Sequence, residues 1–593
     1  MDDLHAEFEK TKVNKRKLAA FHQTLGTLKF LDPACGCGNF LIITYRELRL
    51  LELEVLKVLY GKQQVTSIEH IMHIDVDQFY GIEYDEFPAK IAEVALWLMD
   101  HQMNMLVSEE FGLYYARLPL KKAAAIKHGN ALQIDWQDVI PKDELSYILG
   151  NPPFYGYSLQ TKQQKNDMKL VFQDVKGAGV LDYVSCWYVL AAQYMQDTNI
   201  KAAFVSTNSI SQGEQVGILW GELFSKYHTK IHFAHRTFSW SNEAKGNAAV
   251  HVVIIGFAAF DSKQKYIFEY EDIKGEPHVI NAKNINSYLI DSSDILIYRR
   301  NKPLCLVPDM VKGSSPTDGG HLLLTNDEKE VLIKNEPKAE AYIKPYMGSQ
   351  EFINNIQRWC LWLKSIPPQT LKEMPIVINK LNQVKEMRLN SKKKSTQKWA
   401  DYPSLFIEER QPLGSYVIIP RVSSERRRYV PFGFLDESTI VSDSAIALPE
   451  ATLFLFGVLT SMMHMIWIRY TCGRLKNDFR YSNTLVYNNY PWPKDPSDKN
   501  TTAVESKAQH VLDVRAEFPD SSLADLYDPL TMPPKLVKAH AALDKAVDLC
   551  YRHKLLRMSA SVLNIYLICI NNTPSLYFLP IRRSESRKWF PGG

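Results

Sequence analysis

The sequence predicts an α/β fold with a doubly wound, mostly parallel sheet, followed by a mixed α+β region and a helical C-terminal segment. Three observations support this. Up to about residue 300, short apolar runs alternate with longer segments of helical period, which is typical of parallel strands joined by helices. Beyond that point the alternation stops, and proline-bearing irregular stretches separate short strands. A chain of 593 residues also exceeds what one hydrophobic core usually supports, so several domains are expected.

The elements of the first half follow from local signals. Residues 1–29 predict a charged helix ending at Gly26, and Gly61 ends a long helix that starts after the glycine-rich stretch. Pro88 marks the start of the next helix. In chain order, the predicted strands are "LKFLD", "FYGIEY", "SYILGNPPF", "KAAFVSTNSI", "KIHFAHRTF" and "AAVHVVIIGFAAF".

The second half is less regular. It contains a predicted strand, "SYVIIPRV", one predicted apolar helix, "TLFLFGVLTSMMHMIWIRYTCGRL", and two helices after the linker "PWPKDPSDKNTT". The predicted domains are a helical segment at 1–29, the α/β domain at 30–299, the mixed domain at 300–495, a helical C-terminal domain at 496–552 and a tail at 553–593.

The composition excludes several classes of protein. Hydrophobic residues make up 46% and charged residues 23%, as in globular proteins. No apolar run is long enough to span a bilayer, and the N-terminus is too polar for a signal peptide. We therefore expect a cytoplasmic protein without a membrane partner. The close pair Cys35 and Cys37 lacks further ligands at zinc spacing, so we expect reduced, loop-packing thiols and no metal site.

The stretch D-P-A-C-G-C-G-N-F, residues 32–40, lies between a predicted strand and a predicted helix. Glycines in such a turn let the backbone approach a ligand where a Cβ atom would clash. The pattern is not G-x-G-x-x-G, and Asp32 would attract a cationic amino group rather than a phosphate. The stretch therefore favours S-adenosylmethionine as cofactor, and a tight turn without a ligand is the alternative.

Two later strand ends supply further cofactor candidates. Glu83 closes the strand "FYGIE" and is placed like the ribose-binding acid of doubly wound sheets. An insertion between helix and strand explains why it lies farther from the loop than usual. Asn130, in "HGNAL", would lie near the adenine of the cofactor, although an isolated Asn is also a common turn residue.

The sequence N-P-P-F at residues 151–154 follows an apolar run. The amino group of a nucleobase is a poor nucleophile, and its methylation requires acceptors for both N–H groups. The Asn151 carboxamide oxygen and the Pro152 carbonyl can accept these bonds, and Pro153 helps to fix the backbone direction. Phe154 offers a face on which a flipped base can stack. Methyl transfer would then be a direct displacement without a covalent enzyme intermediate.

The order of these motifs resembles that of the gamma class of amino-DNA methyltransferases, with the class I S-adenosylmethionine-dependent fold. From residue 1 to about 552 the chain is similar to the MmeI-like family of single-chain type II restriction–modification enzymes, which methylate adenine N6. Segments that carry this resemblance include "FYGIEYDEFPAKIAEVALWLMDHQMN", "HRTFSWSNEAKGNAAVH", "RVSSERRRYVPFGFL", "CGRLKNDFRYSNTLVYNNYPWP" and "FPDSSLADLYDPLTMPP".

The resemblance implies roles for individual residues. The catalytic motif consists of Asn151, Pro152, Pro153 and Phe154. The residues that fall in or beside the cofactor motifs are Asp32, Pro33, Ala34, Gly36, Gly38, Asn39, Phe40 and Glu83. Residues 300–495 correspond to the target-recognition domain, and double-stranded DNA is the implied partner.

Two departures from the family pattern affect the interpretation. The family's nuclease, helical spacer and an additional cofactor motif precede the point that corresponds to the start of this chain. A separately encoded nuclease or N-terminal part is therefore an expected partner. The last segment, residues 553–593, does not resemble the usual family ending, and we interpret it as a frameshifted tail, with a hairpin as the alternative.

Basic residues are interleaved with aromatic residues in the second half, a pattern suited to phosphate and groove contacts. Solvated surface charge or a packing aromatic is the alternative for each one. The candidate DNA-binding residues are Arg421, Arg426, Arg427, Arg428, Arg474, Lys476 and Arg480, among Tyr429, Phe432, Phe479 and Tyr481.

Three other functions are compatible with parts of the sequence. A glutamine or ribosomal-RNA methyltransferase can also use N-P-P-[FY], but lacks so large a recognition domain. A Rossmann oxidoreductase would explain the glycine loop and leave N-P-P-F without a role. A truncated remnant would bind DNA without methylating it. The sequence thus favours a site-specific adenine-N6 DNA methyltransferase that lacks the nuclease part, with the inactive remnant as the alternative.

Overall fold

The computed structural model describes residues 1–61, 67–112, 115, 124–240, 250–270, 272, 275–475 and 478–551. The chain forms two compact units. Of the described residues, the first unit contains Met1–Ser211 and Gln215–Leu296, and the second contains Gln212–Glu214 and residues 297–551. The predicted tail at 553–593 lies outside the described residues.

A nine-stranded sheet organises the first unit, in the order β3-β2-β1-β4-β5-β7-β6-β8-β9. The five strands from β3 to β5 are parallel, whereas β7 is antiparallel to both of its neighbours. This confirms the predicted α/β, mostly parallel fold. The strands are β1 (Phe30–Asp32), β2 (Phe79–Glu83), β3 (Ala125–His128), β4 (Tyr147–Gly150), β5 (Lys201–Thr207), β6 (Lys230–Trp240), β7 (Val250–Ala258), β8 (Lys265–Glu269) and β9 (His278–Ala282).

Aromatic side chains connect the central strands of this sheet. The ring of Phe30 in β1 stacks between Phe79 of β2 and Tyr147 of β4, at centroid distances of 5.1 and 5.3 Å. This aromatic row aligns the three strands whose ends carry the predicted site. The helices are α1 (Asp2–Thr11), α2 (Lys15–Leu25), α3 (Asn39–Tyr60), α4 (Glu86–Phe111), α5 (Lys162–Val171), α6 (Ser185–Tyr194) and α7 (Glu214–Ser225).

The predicted single helix over the first 29 residues is wrong, because two helices occupy this segment. Asn14 has an extended backbone, and its side-chain oxygen accepts hydrogen bonds from the N–H groups of Arg16 and Lys17, both at 3.1 Å. An Asn in this position starts a new helix. The second helix then ends before Gly26, as predicted.

The second unit contains three small sheets, in the orders β10-β18-β14-β16, β11-β13-β12-β17 and β15-β20-β19. Its strands are β10 (Val311–Lys312), β11 (Leu323–Leu324), β12 (Ile343–Met347), β13 (Trp359–Leu361), β14 (Tyr416–Pro420), β15 (Val422–Ser423), β16 (Gly433–Leu435), β17 (Ile440–Val441), β18 (Ala445–Pro449), β19 (Gly473–Leu475) and β20 (Asp478–Arg480).

Helices complete the second unit, and its last two long helices pack together. The helices are α8 (Asn326–Asn335), α9 (Ser349–Asn354), α10 (Pro368–Lys372), α11 (Pro375–Leu389), α12 (Lys394–Gln397), α13 (Leu453–Thr460), α14 (Met462–Thr471), α15 (Asp498–Ala516), α16 (Leu523–Leu526) and α17 (Pro534–Tyr551).

The long apolar helix predicted near residue 460 is also interrupted. Ser461 has an extended backbone between α13 and α14, which are bent by 57°. The Asp544 carboxylate accepts the N–H of Met462 at 2.7 Å and thereby caps α14. Within the described part of the chain, no single helix meets the length and hydropathy expected of a membrane span, although this bent pair does so when both helices are counted together.

Candidate active site

Five parallel strands end at one edge of the large sheet, and the strand order reverses direction there. The chain moves outward from β1 to β2 and β3 on one side, and β4 and β5 lie on the other. In such sheets ligands bind beyond the carboxyl ends of the strands at the switch point. Here the switch point lies between β1, which ends at Asp32, and β4, which ends at Gly150.

The loop after β1 is anchored to the end of β2. Gly36 and Gly38 have φ values of +55° and +85°, which side chains rarely adopt. The N–H of Gly36 donates to Glu83 Oε2 at 2.8 Å, and the N–H of Cys35 donates to the Ile82 carbonyl at 3.1 Å. Glu83 therefore orients the loop from the neighbouring strand.

Other loop residues differ in exposure. Pro33, Cys35 and Gly38 are buried, whereas Asn39 is exposed. Cys37 is exposed as well, so the expectation that both thiols pack within the loop holds for Cys35 alone. The described cysteines are all free thiols. Ala34 and Gly36 in the loop are partly buried, as is Phe40 at the start of α3.

Asp32 is buried beneath this loop. Its Oδ1 atom accepts one hydrogen bond, from the N–H of Ala34 at 3.0 Å. Burial raises the pKa of the Asp32 carboxyl to about 7; the Ala34 hydrogen bond opposes this shift, and the nearby Glu83 charge adds to it. A bound cation would favour the ionised form, so the site is suited to a ligand that carries a positive charge.

The end of β4 lies directly against Asp32. A Cβ atom added to Gly150 would lie 2.5 Å from Asp32 Oδ1, so only glycine allows this approach. Asn151 is the next residue and is exposed. The structure therefore brings N-P-P-F to the glycine loop, although more than a hundred residues separate the two motifs.

The groups predicted to bind a target base are available. Among the described residues, no hydrogen-bond donor contacts the side-chain oxygen of Asn151 or the carbonyl of Pro152. Pro152 is buried and Pro153 is exposed. Phe154 is partly buried and makes no ring contact within the described part of the chain.

Asp182 fixes the backbone that follows N-P-P-F, and sequence analysis did not identify it. Its Oδ1 atom accepts the N–H of Tyr155 at 2.9 Å, and Oδ2 accepts the Thr207 hydroxyl at 3.3 Å. Burial raises the pKa of Asp182, and these hydrogen bonds oppose the shift. An aspartate just before an otherwise apolar helix was the sequence signal that could have revealed it.

A second unpredicted group connects the glycine loop with the loop after β3. The Trp187 indole N–H donates to the Pro33 carbonyl at 3.0 Å, and the Trp187 ring packs edge-on against Tyr183. The Tyr183 hydroxyl donates to the buried Asp167 at 2.8 Å. Asn130 also donates to Asp167, at 3.3 Å, and its own oxygen accepts the N–H of Leu132. Asn130 is thus held at the predicted strand end.

The predicted DNA-binding residues of the second unit fall into two groups. Arg426, Arg428 and Arg480 are exposed. Three others are partly buried and have protein partners: Arg421 donates to the Asp443 carbonyl, Arg427 donates to Ser423, and Arg474 pairs with Glu425 and lies over Phe479. Burial lowers the pKa of these three arginines. Lys476 lies outside the described residues.

The neighbouring aromatic residues are not at the surface. Tyr429, Phe432, Phe479 and Tyr481 are all buried. They pack the interior of the second unit, so the alternative that the sequence offered, a packing aromatic, holds for these four side chains.

Comparison with known proteins identifies the domains. Family models describe the MmeI DNA-methyltransferase domain at residues 8–269, the MmeI target-recognition domain at 291–494 and the MmeI C-terminal domain at 496–572. The type IIL restriction–modification enzyme MmeI, solved in complex with DNA, is 52% identical. The match has a TM-score of 0.88 and covers 96% of this chain and 76% of that one.

The chain belongs to the MmeI family of restriction–modification enzymes. DNA methyltransferase A of Bacillus subtilis (strain 168) is 40% identical over 558 residues, which is 93% of this chain and 62% of that relative. A putative type II restriction enzyme and methyltransferase of Methanocaldococcus jannaschii is 31% identical over 98 residues, 16% of this chain and 8% of that protein. The chain thus spans less than two thirds of the length of the curated relatives it matches.

Family membership agrees with the architecture. The nine-stranded sheet lies within the matched MmeI methyltransferase domain, apart from its last strand, and a methyltransferase domain requires a methyl donor. The MmeI C-terminal match continues past Arg552, where the resemblance was expected to end, to residue 572.

Proposed function

We propose that this chain transfers a methyl group from S-adenosylmethionine to the N6 amino group of adenine at a specific sequence in duplex DNA. The observation that carries the proposal is the contact between Gly150 and Asp32. It puts the exposed Asn151 next to the loop that would hold the methyl donor. Direct transfer requires the substrate and the methyl donor to be bound next to each other.

The cofactor would be held by the glycine loop and by the adjacent strand ends. Asp32 would bind the cationic amino group, and the left-handed turns at Gly36 and Gly38 would let backbone approach the ligand. Glu83, already fixed by the loop, would bind the ribose hydroxyls. The remaining proposed cofactor residues are Pro33, Ala34, Asn39, Phe40 and Asn130.

The target adenine would lie against N-P-P-F. Asn151 and the Pro152 carbonyl would accept the two amino N–H groups, which directs the nitrogen lone pair toward the methyl group. Pro153 restricts the backbone that carries these acceptors. Phe154 would stack on the extruded base. In the transfer, a bond forms between N6 and the methyl carbon as the carbon–sulfur bond breaks, and the amino group releases one proton.

Sequence recognition is assigned to the part of the second unit that matches the MmeI target-recognition domain. Arg426, Arg428 and Arg480 are the strongest candidates for DNA contact, because these three residues are exposed. The other DNA-binding residues predicted from the sequence stay predictions: Arg421, Arg427, Arg474 and Lys476. Because cellular DNA is the proposed substrate, the proposed site of action is the cytoplasm.

Transfer of labelled methyl groups tests this function. The purified chain would be incubated with S-adenosylmethionine carrying a tritiated methyl group and with unmethylated plasmid DNA, which is then digested to nucleosides. We expect the label in N6-methyladenine. Asn151→Ala should lower the rate by about a hundredfold, as expected for loss of one positioned electrostatic contact. Label found solely in cytosine would contradict the proposal, as would a folded, cofactor-binding chain that transfers none.

A further inference from the structure

The segment after N-P-P-F forms a short turn with a fixed base. At one side, Asp182 accepts the N–H of Tyr155 at 2.9 Å. At the other, the buried side-chain amide of Gln160 donates to the carbonyls of Tyr155 and Leu181, both at 3.0 Å. These hydrogen bonds connect the two ends of the turn to each other and to residues 181 and 182, which precede α6.

The tip of this turn carries two large exposed side chains. Tyr157 is 49% exposed and Leu159 is 74% exposed. The Leu159 N–H donates to the Gly156 carbonyl at 2.8 Å, which closes the tip. A single exposed leucine is ordinary on a protein surface. This one is held on a closed turn that begins directly after the proposed base-binding residues.

Unpaired positive charge follows the turn. Lys162, Lys165 and Lys169 are exposed on α5, and their spacing of three and four residues puts them on one helix face. The acidic residue of this helix, Asp167, is buried and bonded to Tyr183. Within the described residues, none of the three lysines has an ion pair.

We propose that Leu159 enters the DNA stack at the position vacated by the target adenine, and that the three lysines bind the phosphates beside it. The inference rests on the proposed function. Extruding a base removes stacking and pairing, and an apolar side chain inserted between base steps replaces part of the lost contact. The lysine face is complementary in charge to the DNA backbone. The methyltransferase unit would thus hold DNA itself, independently of sequence recognition.

A comparison of substrates with a paired and an unpaired target adenine tests the insertion of Leu159. The substrates are duplex oligonucleotides carrying the sequence that the chain methylates, with the target adenine opposite thymine or opposite an abasic site. Leu159→Ala should lower single-turnover methylation of the paired duplex about tenfold, because base extrusion becomes less favourable. On the abasic duplex, where extrusion is already easier, its rate should approach that of the parent.

Leu98→Ala is the matched control, since Leu98 is 60% exposed on α4 of the same unit. It should match the parent on both duplexes, and all variants should bind S-adenosylmethionine like the parent. A Leu159→Ala chain that methylates paired DNA at the parent rate would overturn the inference and leave the proposed function intact. An equal loss on both duplexes would also overturn it. A parent chain that methylates no DNA would remove the proposed function and this inference together.

Salt dependence tests the lysine face. Each phosphate contact contributes about 0.9 to the slope of log affinity against log salt concentration. Replacing Lys162, Lys165 and Lys169 together by Gln should therefore reduce that slope by roughly 2.7, equally for DNA with and without the target sequence. An unchanged slope would show that these lysines do not contact phosphates.

Discussion

Binding of S-adenosylmethionine should weaken as the pH falls below about 7, because Asp32 must be ionised to bind the cofactor's amino group. Its carboxyl is buried and accepts one backbone N–H, and burial raises its pKa to about 7, with Glu83 contributing in the same direction. Below that pH the free protein carries a proton on Asp32, which binding has to displace.

The size of the effect follows from the pKa. With a pKa of about 7, affinity should fall about tenfold for each pH unit below 7 and level off above it. This corresponds to roughly 1.4 kcal/mol per unit. At pH 6 about 0.9 proton should be released for each cofactor bound.

Isothermal titration calorimetry between pH 5.5 and 7.5, in two buffers of different ionisation enthalpy, measures both quantities. Asp32→Asn is the control, because it removes the titrating group and keeps a side-chain oxygen for the Ala34 N–H. Its affinity should be lower and nearly independent of pH. A parent affinity that stays constant over this range would refute the reasoning, and so would an equal pH dependence in the variant.

Three further predictions concern the groups around the site. Gly150→Ala adds a Cβ atom 2.5 Å from Asp32 Oδ1. Because such overpacking costs about 1–3 kcal/mol, calorimetry should show cofactor affinity reduced by roughly ten- to a hundredfold. An unchanged affinity would show that the contact between Gly150 and Asp32 is not part of the cofactor site. Asp182→Ala frees the Tyr155 backbone and should lower the methylation rate by up to about a hundredfold, because the acceptors of N-P-P-F are then misplaced, while cofactor affinity stays like that of the parent. Asp182→Asn keeps an acceptor oxygen and should retain more activity. An equal loss of activity in both variants would argue against a positioning role for Asp182. Phe154→Ala should weaken capture of the flipped base by about 1–3 kcal/mol. The variant should therefore bind target DNA more weakly and keep its sequence preference. An altered sequence preference would contradict the assignment of recognition to the second unit.

Local signals predicted the parts of the structure that local interactions determine. Strand, glycine loop and helix follow one another within about thirty residues, and the left-handed turns at Gly36 and Gly38 could be expected from the glycines themselves. N-P-P-F likewise lies at the end of a strand, as predicted.

Contacts between distant residues could not be predicted in this way. The approach of Gly150 to Asp32 depends on the pairing of β4 with β1, and the break at Ser461 depends on Asp544 more than eighty residues later. Asp182 and Trp187 lie in an apolar run whose period indicates only a buried helix. Their hydrogen bonds to the two site loops appear when the sheet and helices are assembled.

The arginines of the second unit show the same limit. Composition alone treats the predicted arginines alike, yet Arg474 lies over the buried Phe479 while Arg480 on the neighbouring strand is exposed. Alternation along short strands decides which side chain reaches solvent, and that alternation depends on a register that the sequence does not reveal.

Single-molecule sequencing of DNA from cells that express the chain tests the central claim most directly. Cells that express Asn151→Ala, which removes one proposed acceptor for the amino group, provide the control. We predict N6-methyladenine at one recurring sequence with the parent chain and a large loss of that signal with the variant. Modified cytosine in place of adenine, or unmodified DNA in cells that contain folded, cofactor-binding protein, would contradict the account.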